Sequence, residues 1–392
     1  MRREDIVVVG GGIAGSAAAL AARKAGASVT LLDEHPEVGG YLRWSISTEH
    51  GLQKEYDERR GFEIAYSCWT QLYNSGVNVQ RRSIVWGLFD DLVLGVSNPT
   101  SSYRLKADKI ILATGSTDVV VPFAGYELAG VMTARAALIA MNVHRVLPGK
   151  RAGIVGDGPD LAELNASLEA AGVEVALHVP EVSRAAASGD GAVQFLSDGG
   201  DPVAVDVVIT ALGVQPDVEL ALHAQVKTAF SPAFGMHLPE RSEVFETSVP
   251  GLFAVGGAVG TARAAAEGAV AGCAASNSKH LEAAQETLAS AEEISLAGSP
   301  AGRLADDVVV CRCDEIRADA IRQAIAGGAT TINDVKRRTR AGMGVCQGIF
   351  CTGTIANMIN VEAGVPLEQI VPMTARPPAR LISLAEIAST TE

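Results

Sequence analysis

Ile6-Val7-Val8-Val9-Gly10-Gly11-Gly12-Ile13-Ala14-Gly15 decides the fold. A continuous apolar run that breaks into G-x-G-x-x-G is what a buried parallel strand turning into a helix requires. Gly10 permits the turn, Gly12 lets backbone approach a pyrophosphate, and Gly15 lets helix and strand pack closely. Ile13 and Ala14 open the helix, whose first N–H groups and positive dipole end face the phosphates. The helix SAAALAARKAG runs to Gly26, and SVTLLDE is the next strand. Asp33 ends that strand where it could accept a hydrogen bond from ribose hydroxyls, with Glu34 as the alternative. Strand, helix and acid in register predict a dinucleotide site. The bland alternative is a nucleotide-type unit that has lost its ligand.

The same pattern recurs downstream. DKIILATGS is another buried strand, and residues 151–179, RAGIVGDGPDLAELNASLEAAGVEVALHV, repeat strand, glycines, helix and strand. VDVVITALG and GLFAVGGAVG add apolar strands that end in glycine. Two such units predict a doubly wound α/β protein with one unit inserted in the other. The expected divisions are a first dinucleotide domain (1–118 plus 236–283) and a second, NAD(P)-like domain (119–235). A linker (284–304), a small, mostly helical domain (305–365) and a tail (366–392) follow. The small, polar, Gly/Pro-punctuated stretch AQETLASAEEISLAGSPAGRL is the basis for the linker.

The second glycine motif is imperfect. In Gly156-Asp157-Gly158-Pro159-Asp160-Leu161 a leucine stands where the third glycine belongs. Its branched side chain pushes helix from strand and crowds the pyrophosphate position. His178 falls where a ribose-binding acid is expected. A degenerate scaffold is the reading for this unit.

Composition narrows the class. The 392 residues are 48% apolar and 20% charged, enough for a sizeable core, and the net charge of −13 argues against nucleic acid as the main partner. No run of apolar residues approaches a membrane span. The arginines of MRRED are followed by Glu4 and Asp5, so the N-terminus does not read as an export signal, and a cytoplasmic protein with reduced thiols is expected.

Four of the six cysteines fall in the last quarter, as Cys311-Arg312-Cys313 and, in GVCQGIFC, Cys346 and Cys351: C-x-C-x32-C-x4-C. Clustered thiols in a reducing compartment read as metal ligands. Zinc sites more often use C-x2-C pairs, whereas four thiolates, two per iron, hold a [2Fe–2S] cluster. Gly342, Gly344 and Gly348 free backbone N–H groups to point at sulfurs. Cys68 and Cys273 are single and read as buried structural thiols. With no cysteine pair near either glycine motif, a thiol–disulfide relay is excluded. The basic run Lys336-Arg337-Arg338-Thr339-Arg340 reads as helix-end cations that offset a dipole, or as a dock for an acidic acceptor.

EVGGYL (37–42) and LATGS (112–116) resemble segments of two-dinucleotide-domain flavoproteins, a likeness that favours FAD. It adds Gly40, Thr114, Gly115, Gly256 and Gly257 to the expected nucleotide contacts, and Val85 from SIVWGLF (83–89). Such flavoproteins carry Gly-Asp near the last strand. Here Val255-Gly256-Gly257-Ala258 lacks the acid, which keeps a plain adenine nucleotide open as the ligand.

CRCDEI (311–316) and GATTINDVKRRTRAGMGVCQGIFC (328–351) resemble the domain related to bacterioferritin-associated ferredoxin. VVVPFAGYELAGVMTARAA (119–137), SIVWGLF, GDGPDL and RPPAR (376–380) extend the likeness along nearly the whole chain. The group it resembles is the α-type subunits of heteromeric flavin amine and amino-acid dehydrogenases. Its members include the A-type chain of opine oxidase, the α chains of hydroxyproline dehydrogenase and sarcosine oxidase, and the B-type chain of hydrogen cyanide synthase.

That resemblance implies a two-dinucleotide-domain fold with a C-terminal [2Fe–2S] domain ligated by Cys311, Cys313, Cys346 and Cys351. It implies that Gly10, Gly12, Gly15 and Asp33 line the nucleotide site. It also implies a partner FAD β subunit of the glycine- or sarcosine-oxidase type, FMN at the subunit interface in several members, a small third subunit in some complexes, and an electron acceptor. No acid–base or nucleophile constellation stands out, and the seven histidines are scattered. The rivals are a self-contained NAD(P)H-dependent reductase with an iron–sulfur centre, and a scaffold holding structural zinc.

Overall fold

The structure is a computed structural model that describes residues 2–49, 56–291 and 303–390. Ile6–Val9 is the inner half of a strand, Arg2–Val9, in a seven-stranded sheet. It pairs in parallel with Val29–Leu32 on one side and Ser101–Leu112 on the other. Its apolar run and all of Val29–Leu32 are buried, as helices on both faces of a parallel sheet demand. Ser101–Leu112 is long enough to serve two neighbours on its far side. It pairs antiparallel with Val93–Asn98 and, at its end, in parallel with Leu252–Ala254. The late strand therefore completes the first unit.

Two helices cover this sheet almost backbone to backbone. A Cβ on Gly268 would fall 2.0 Å from the Ala14 carbonyl oxygen, and one on Gly272 2.2 Å from that of Ala18. Glycine and alanine faces on Ile13–Lys24 and Thr261–Ala275 make that approach possible. The chain continues as a helix, Leu281–Ser290, through the first part of the stretch expected to be a linker. Its Leu, Ala, Glu and Gln are good helix formers, and Leu281, Ala284 and Leu288 pack on the first core. Residues 292–302 of that stretch lie outside the described residues.

The second unit is a four-stranded parallel sheet, in the order Val131–Thr133, Val207–Thr210, Arg151–Val155, Glu174–Val179. The chain leaves the first unit through Ser116–Asp118 and returns through Val214–Pro216, which pair antiparallel. The boundary expected at 235/236 instead falls inside the turn of a hairpin, Thr228–Ser231 with Met236–Pro239. The Pro- and Gly-bearing stretch Ser231–Met236 makes a tight turn, and the crossing lies earlier.

The third unit packs three helices, Ala318–Ala326, Ile332–Thr339 and Thr352–Ala363, around Ile321, Ile325, Val335, Ile355 and Ile359. The first of these helices starts at Ala318, because Ile316–Arg317 pairs back on Val309–Cys311. Arg338 donates to the carbonyls of Ala324 and Gly327, so one cation of the basic run closes a helix C-terminus. The tail returns to the first sheet, where Ala379 N donates to Trp86 O (2.7 Å) and Ser97 Oγ to Glu386 (2.5 Å). Among the described residues no helix is long and apolar enough to cross a membrane.

Candidate functional site

The glycine turn opens onto a cavity of about 550 Å³. Gly10, Gly12, Ile13, Ala14, Asp33, Glu34, Gly40, Val85, Thr114, Gly115, Gly256 and Gly257 all line it. Gly10 has φ +102°. A Cβ there would lie 2.2 Å from the Ala113 carbonyl oxygen, so neither the conformation nor the space admits a side chain. Gly15 does not line the cavity. A Cβ on it would lie 1.8 Å from the Gly10 carbonyl oxygen, which makes it the residue that lets the helix close on the turn.

Asp33 is buried and accepts from the N–H of Gly11 (2.7 Å) and of His35 (2.8 Å). Burial holds its carboxyl above the usual range, against the pull of those two N–H groups. A carboxylate has about four lone-pair sites, so Asp33 can shape the turn and still accept a ribose hydroxyl. Glu34 is engaged by a residue that sequence reading missed. Arg380, from the tail, donates to Glu34 (3.2 Å) and to Asp217 (2.6 Å) and lines the same cavity.

The Gly256-Gly257 turn has positive φ at Gly256, Gly257 and Ala258. Where the expected acid is missing, another is supplied from the helix behind. Buried Glu267 accepts from Gly256 N (2.9 Å) and pairs with Arg241 and Arg263. Across the cavity Tyr41 bonds Thr261 and donates to Glu49 (3.0 Å). The cavity is large enough, glycine-walled at the phosphate end and acid-bearing at the ribose end, and it fits a flavin dinucleotide.

In the second glycine motif His178 Nε2 lies 2.8 Å from the Gly156 carbonyl oxygen. Leu161 begins the helix where the third glycine would be, and Glu163 accepts from Ile46 N (3.0 Å). Burial raises the carboxyls of Asp160 and Glu163, which favours their neutral forms, and both line the first cavity.

The four thiols converge as two pairs. Cys351 lies against Cys311, and Cys313 against Cys346. Burial, then the neighbouring Cys311, pushes the Cys351 thiol up, a set that ionises readily only against cations. Among the described residues no three His, Cys, Asp or Glu side chains close on a single-ion position. Four thiolates, two per iron, are what a [2Fe–2S] cluster needs. A Cβ on Gly344 would lie 2.2 Å from that of Cys313, so the loop is glycine where it passes that side chain. Cys68 and Cys273 are buried and apart from this set.

The loop between the last two cysteines also meets the body. Gln215 Nε2 donates to Ile349 O (3.1 Å), and Arg312 Nη2 to Glu127 O (3.1 Å). Gln215 lies two residues from Asp217, whose carbonyl accepts from Thr114 Oγ1 (2.7 Å) on the nucleotide wall.

Residues 4–177 match the family model for pyridine nucleotide-disulphide oxidoreductases, and residues 309–360 match the BFD-like [2Fe–2S] binding domain. The A-type chain of opine oxidase from Rhizobium meliloti is 28% identical, over 98% of this chain and 87% of its own length. The alpha chain of sarcosine oxidase from Rhizobium meliloti (strain 1021) is 27% identical, over 95% of this chain and 41% of its own length. The crystal structure of L-proline dehydrogenase from P. horikoshii shares the fold, with a TM-score of 0.87 and 23% identity over 98% of this chain and 80% of that one. The chain is thus similar over nearly its whole length to the A-type chain of opine oxidase, in residues 4–177 to pyridine nucleotide-disulphide oxidoreductases and in residues 309–360 to BFD-like [2Fe–2S] domains, likenesses that support an oxidoreductase subunit with FAD and a [2Fe–2S] cluster.

Proposed function

We propose that the chain is the electron-transfer α subunit of a heteromeric dehydrogenase or oxidase acting on the CH–NH bond of an amine, amino acid or opine. The substrate is oxidised on a partner FAD subunit of the glycine- or sarcosine-oxidase type, and electrons reach the [2Fe–2S] domain of this chain in the cytoplasm. FMN at the partner interface is part of the same reading. The observation that carries it is the convergence of two thiol pairs on a loop that touches the body beside the nucleotide cavity. The names of the relatives as subunits support it.

FAD and the cluster supply the redox chemistry when bound, and the protein holds and orients them. The turn Gly10–Gly15 receives the pyrophosphate, Asp33 the ribose, and Thr114–Gly115 with Gly256–Gly257 the far wall. Cys311, Cys313, Cys346 and Cys351 ligate the irons. Four of the cavity's titratable groups are committed to structural partners: Asp33 to backbone N–H groups, Tyr41 to Glu49, Glu163 to Ile46 N, Asp217 to Arg380.

Purification from the native host tests this. A second flavoprotein should accompany the chain, with amine or amino-acid oxidation only in the complex. Full turnover by the chain alone would refute the subunit role. Mixing the chain with NADH or NADPH should leave its flavin oxidised, since Leu161 stands where the second motif's third glycine belongs. Rapid bleaching would favour a self-contained reductase.

A further inference from the structure

The loop 340–351, which carries two of the four thiols, has an inner and an outer side. On the inner side a Cβ on Gly342 or Gly348 would meet Met373 at 3.3 or 2.9 Å, and Gln215 donates to Ile349 O. Turns fasten the loop: Met343 N donates to Arg340 O (2.9 Å), Gln347 N to Gly344 O (2.9 Å), and the Gln347 amide to the carbonyls of Met343 and Gly344 (3.0 Å each). On the outer side Met343, Val345 and Phe350 are 39%, 72% and 44% exposed. Val345 precedes Cys346 and Phe350 precedes Cys351, and Cys313, which lies against Cys346, is itself exposed. The thiol set therefore reaches the surface where the loop is apolar.

Charge says what covers that patch. Residues 336–351 hold four cations and no acid, in a chain whose net charge is −13. Arg338 is engaged by helix carbonyls, and Lys336 is half-buried. Arg337 meets Asp334 at 3.4 Å but is 72% exposed, so solvent screens the pair. Arg340 is exposed at the point where the helix gives way to the loop. The acids beside the thiols are Asp314 and Glu315, which follow Cys313. The charge is therefore lopsided, with cations leading into the Cys346 loop and acids leading away from Cys313. A second copy of the chain would set the same cations against each other, which disfavours self-pairing. Complementarity asks instead for a partner that is acidic around an apolar centre.

We propose that this face docks an acidic one-electron carrier protein, whose carboxylates meet Arg337 and Arg340 while its apolar centre covers Val345 and Phe350. The carrier's role as electron acceptor rests on the reading of this chain as an electron-transfer subunit; the docking does not. Each encounter moves one electron. The carrier's redox centre is reduced by one electron as the reduced cluster is oxidised by one, with no bond made or broken and no proton transferred. A small apolar centre with exposed charges around it suits a contact that forms and parts quickly.

The test is a binding titration of the purified full chain, cluster and flavin bound, with the soluble domain of cytochrome b5, an acidic one-electron carrier. Surface plasmon resonance reads the affinity. At about 0.1 M salt the screening length is ~10 Å, so the patch is felt rather than the net charge of the chain. Wild type should bind saturably, and the affinity should fall about tenfold between about 0.1 M and 1 M salt. Arg340→Glu and Val345→Ser should each weaken binding about tenfold, the first by charge and the second by lost apolar contact, with the visible spectrum of the cluster unchanged. Basic cytochrome c, which the acidic remainder of the chain attracts, should not be weakened by Arg340→Glu. A complex with a partner flavoprotein should bind cytochrome b5 as the chain does. No saturable binding, binding that neither substitution weakens, or loss of binding because a partner subunit or a second copy covers the loop would overturn the proposal. The titration of the chain uses neither substrate nor partner. Its failure leaves the subunit reading standing, and a failed search for a partner leaves this face standing.

Discussion

Gly344→Ala is the sharpest test of the cluster geometry. The added methyl carbon would lie 2.2 Å from Cys313 Cβ, where ordinary contact begins at 3.4 Å. The obstruction is not the end of a flexible chain, because it is the first carbon of a ligand side chain and Cys313 backbone lies 3.5 Å away. Either the loop or Cys313 must retreat by more than an ångström, and iron–thiolate bonds do not stretch that far. Overpacking of this kind costs about 1–3 kcal/mol, and tenfold corresponds to about 1.4 kcal/mol. Cluster retention should therefore fall roughly five- to hundred-fold. The assay is the rate of visible bleaching under an iron chelator, with iron and sulfide per chain measured at the start. Gly353→Ala, which meets open space, is the control and should match wild type. A Gly344→Ala protein with full iron content and unchanged bleaching would refute the placement of this loop against Cys313.

Three further outcomes are expected. Arg380→Ala removes the partner of Asp217, whose side chain is 6% exposed, and leaving a buried charge unpaired costs roughly 3–5 kcal/mol; the thermal midpoint should fall, and limited proteolysis should cut the tail first. Glu267→Gln removes the charge held by Arg241, Arg263 and Gly256 N, so the flavin-to-protein ratio should drop on gel filtration. Burial raises the Asp160 carboxyl, which makes the native state bind its proton more tightly than the unfolded chain. Its contribution to stability is present below the ordinary carboxylate pKa and is lost as pH rises through the raised value. Asp160→Asn should therefore gain stability over wild type as pH climbs above about 4, with no gain in more acid solution; thermal scans across pH check this.

What is legible in the sequence is whatever local chemistry forces. The apolar run into Gly10–Gly15 can be little else than a strand and a nucleotide turn. The cysteine spacing discloses a metal centre because thiols cluster for few other reasons in a reducing compartment. What is hidden depends on contacts distant in the chain. Arg380 meets Glu34 across 346 positions, and nothing near either residue announces the other. The acid missing at Gly257 reads as a defect, since Glu267 works from the next helix by holding the backbone of the turn. The helix Leu281–Ser290 reads as a linker because its small residues look like one until the core they pack against is known.

These distant contacts also decide how the two cofactor sites are connected. Gln215, Pro216 and Asp217 are consecutive. The first bonds the cluster loop at Ile349, and the third bonds the nucleotide wall at Thr114 and Gly115 and receives Arg380 from the tail. A strand end three residues long therefore touches the walls of both sites, and the tail that follows the cluster domain clamps its far end. If this stretch holds the two sites in fixed relation, the loss of Arg380 must be felt at both, as weaker flavin retention and as faster cluster bleaching in the same protein. A loss confined to the flavin would mean that the tail is a local lid and that the Gln215 bond to Ile349 transmits nothing.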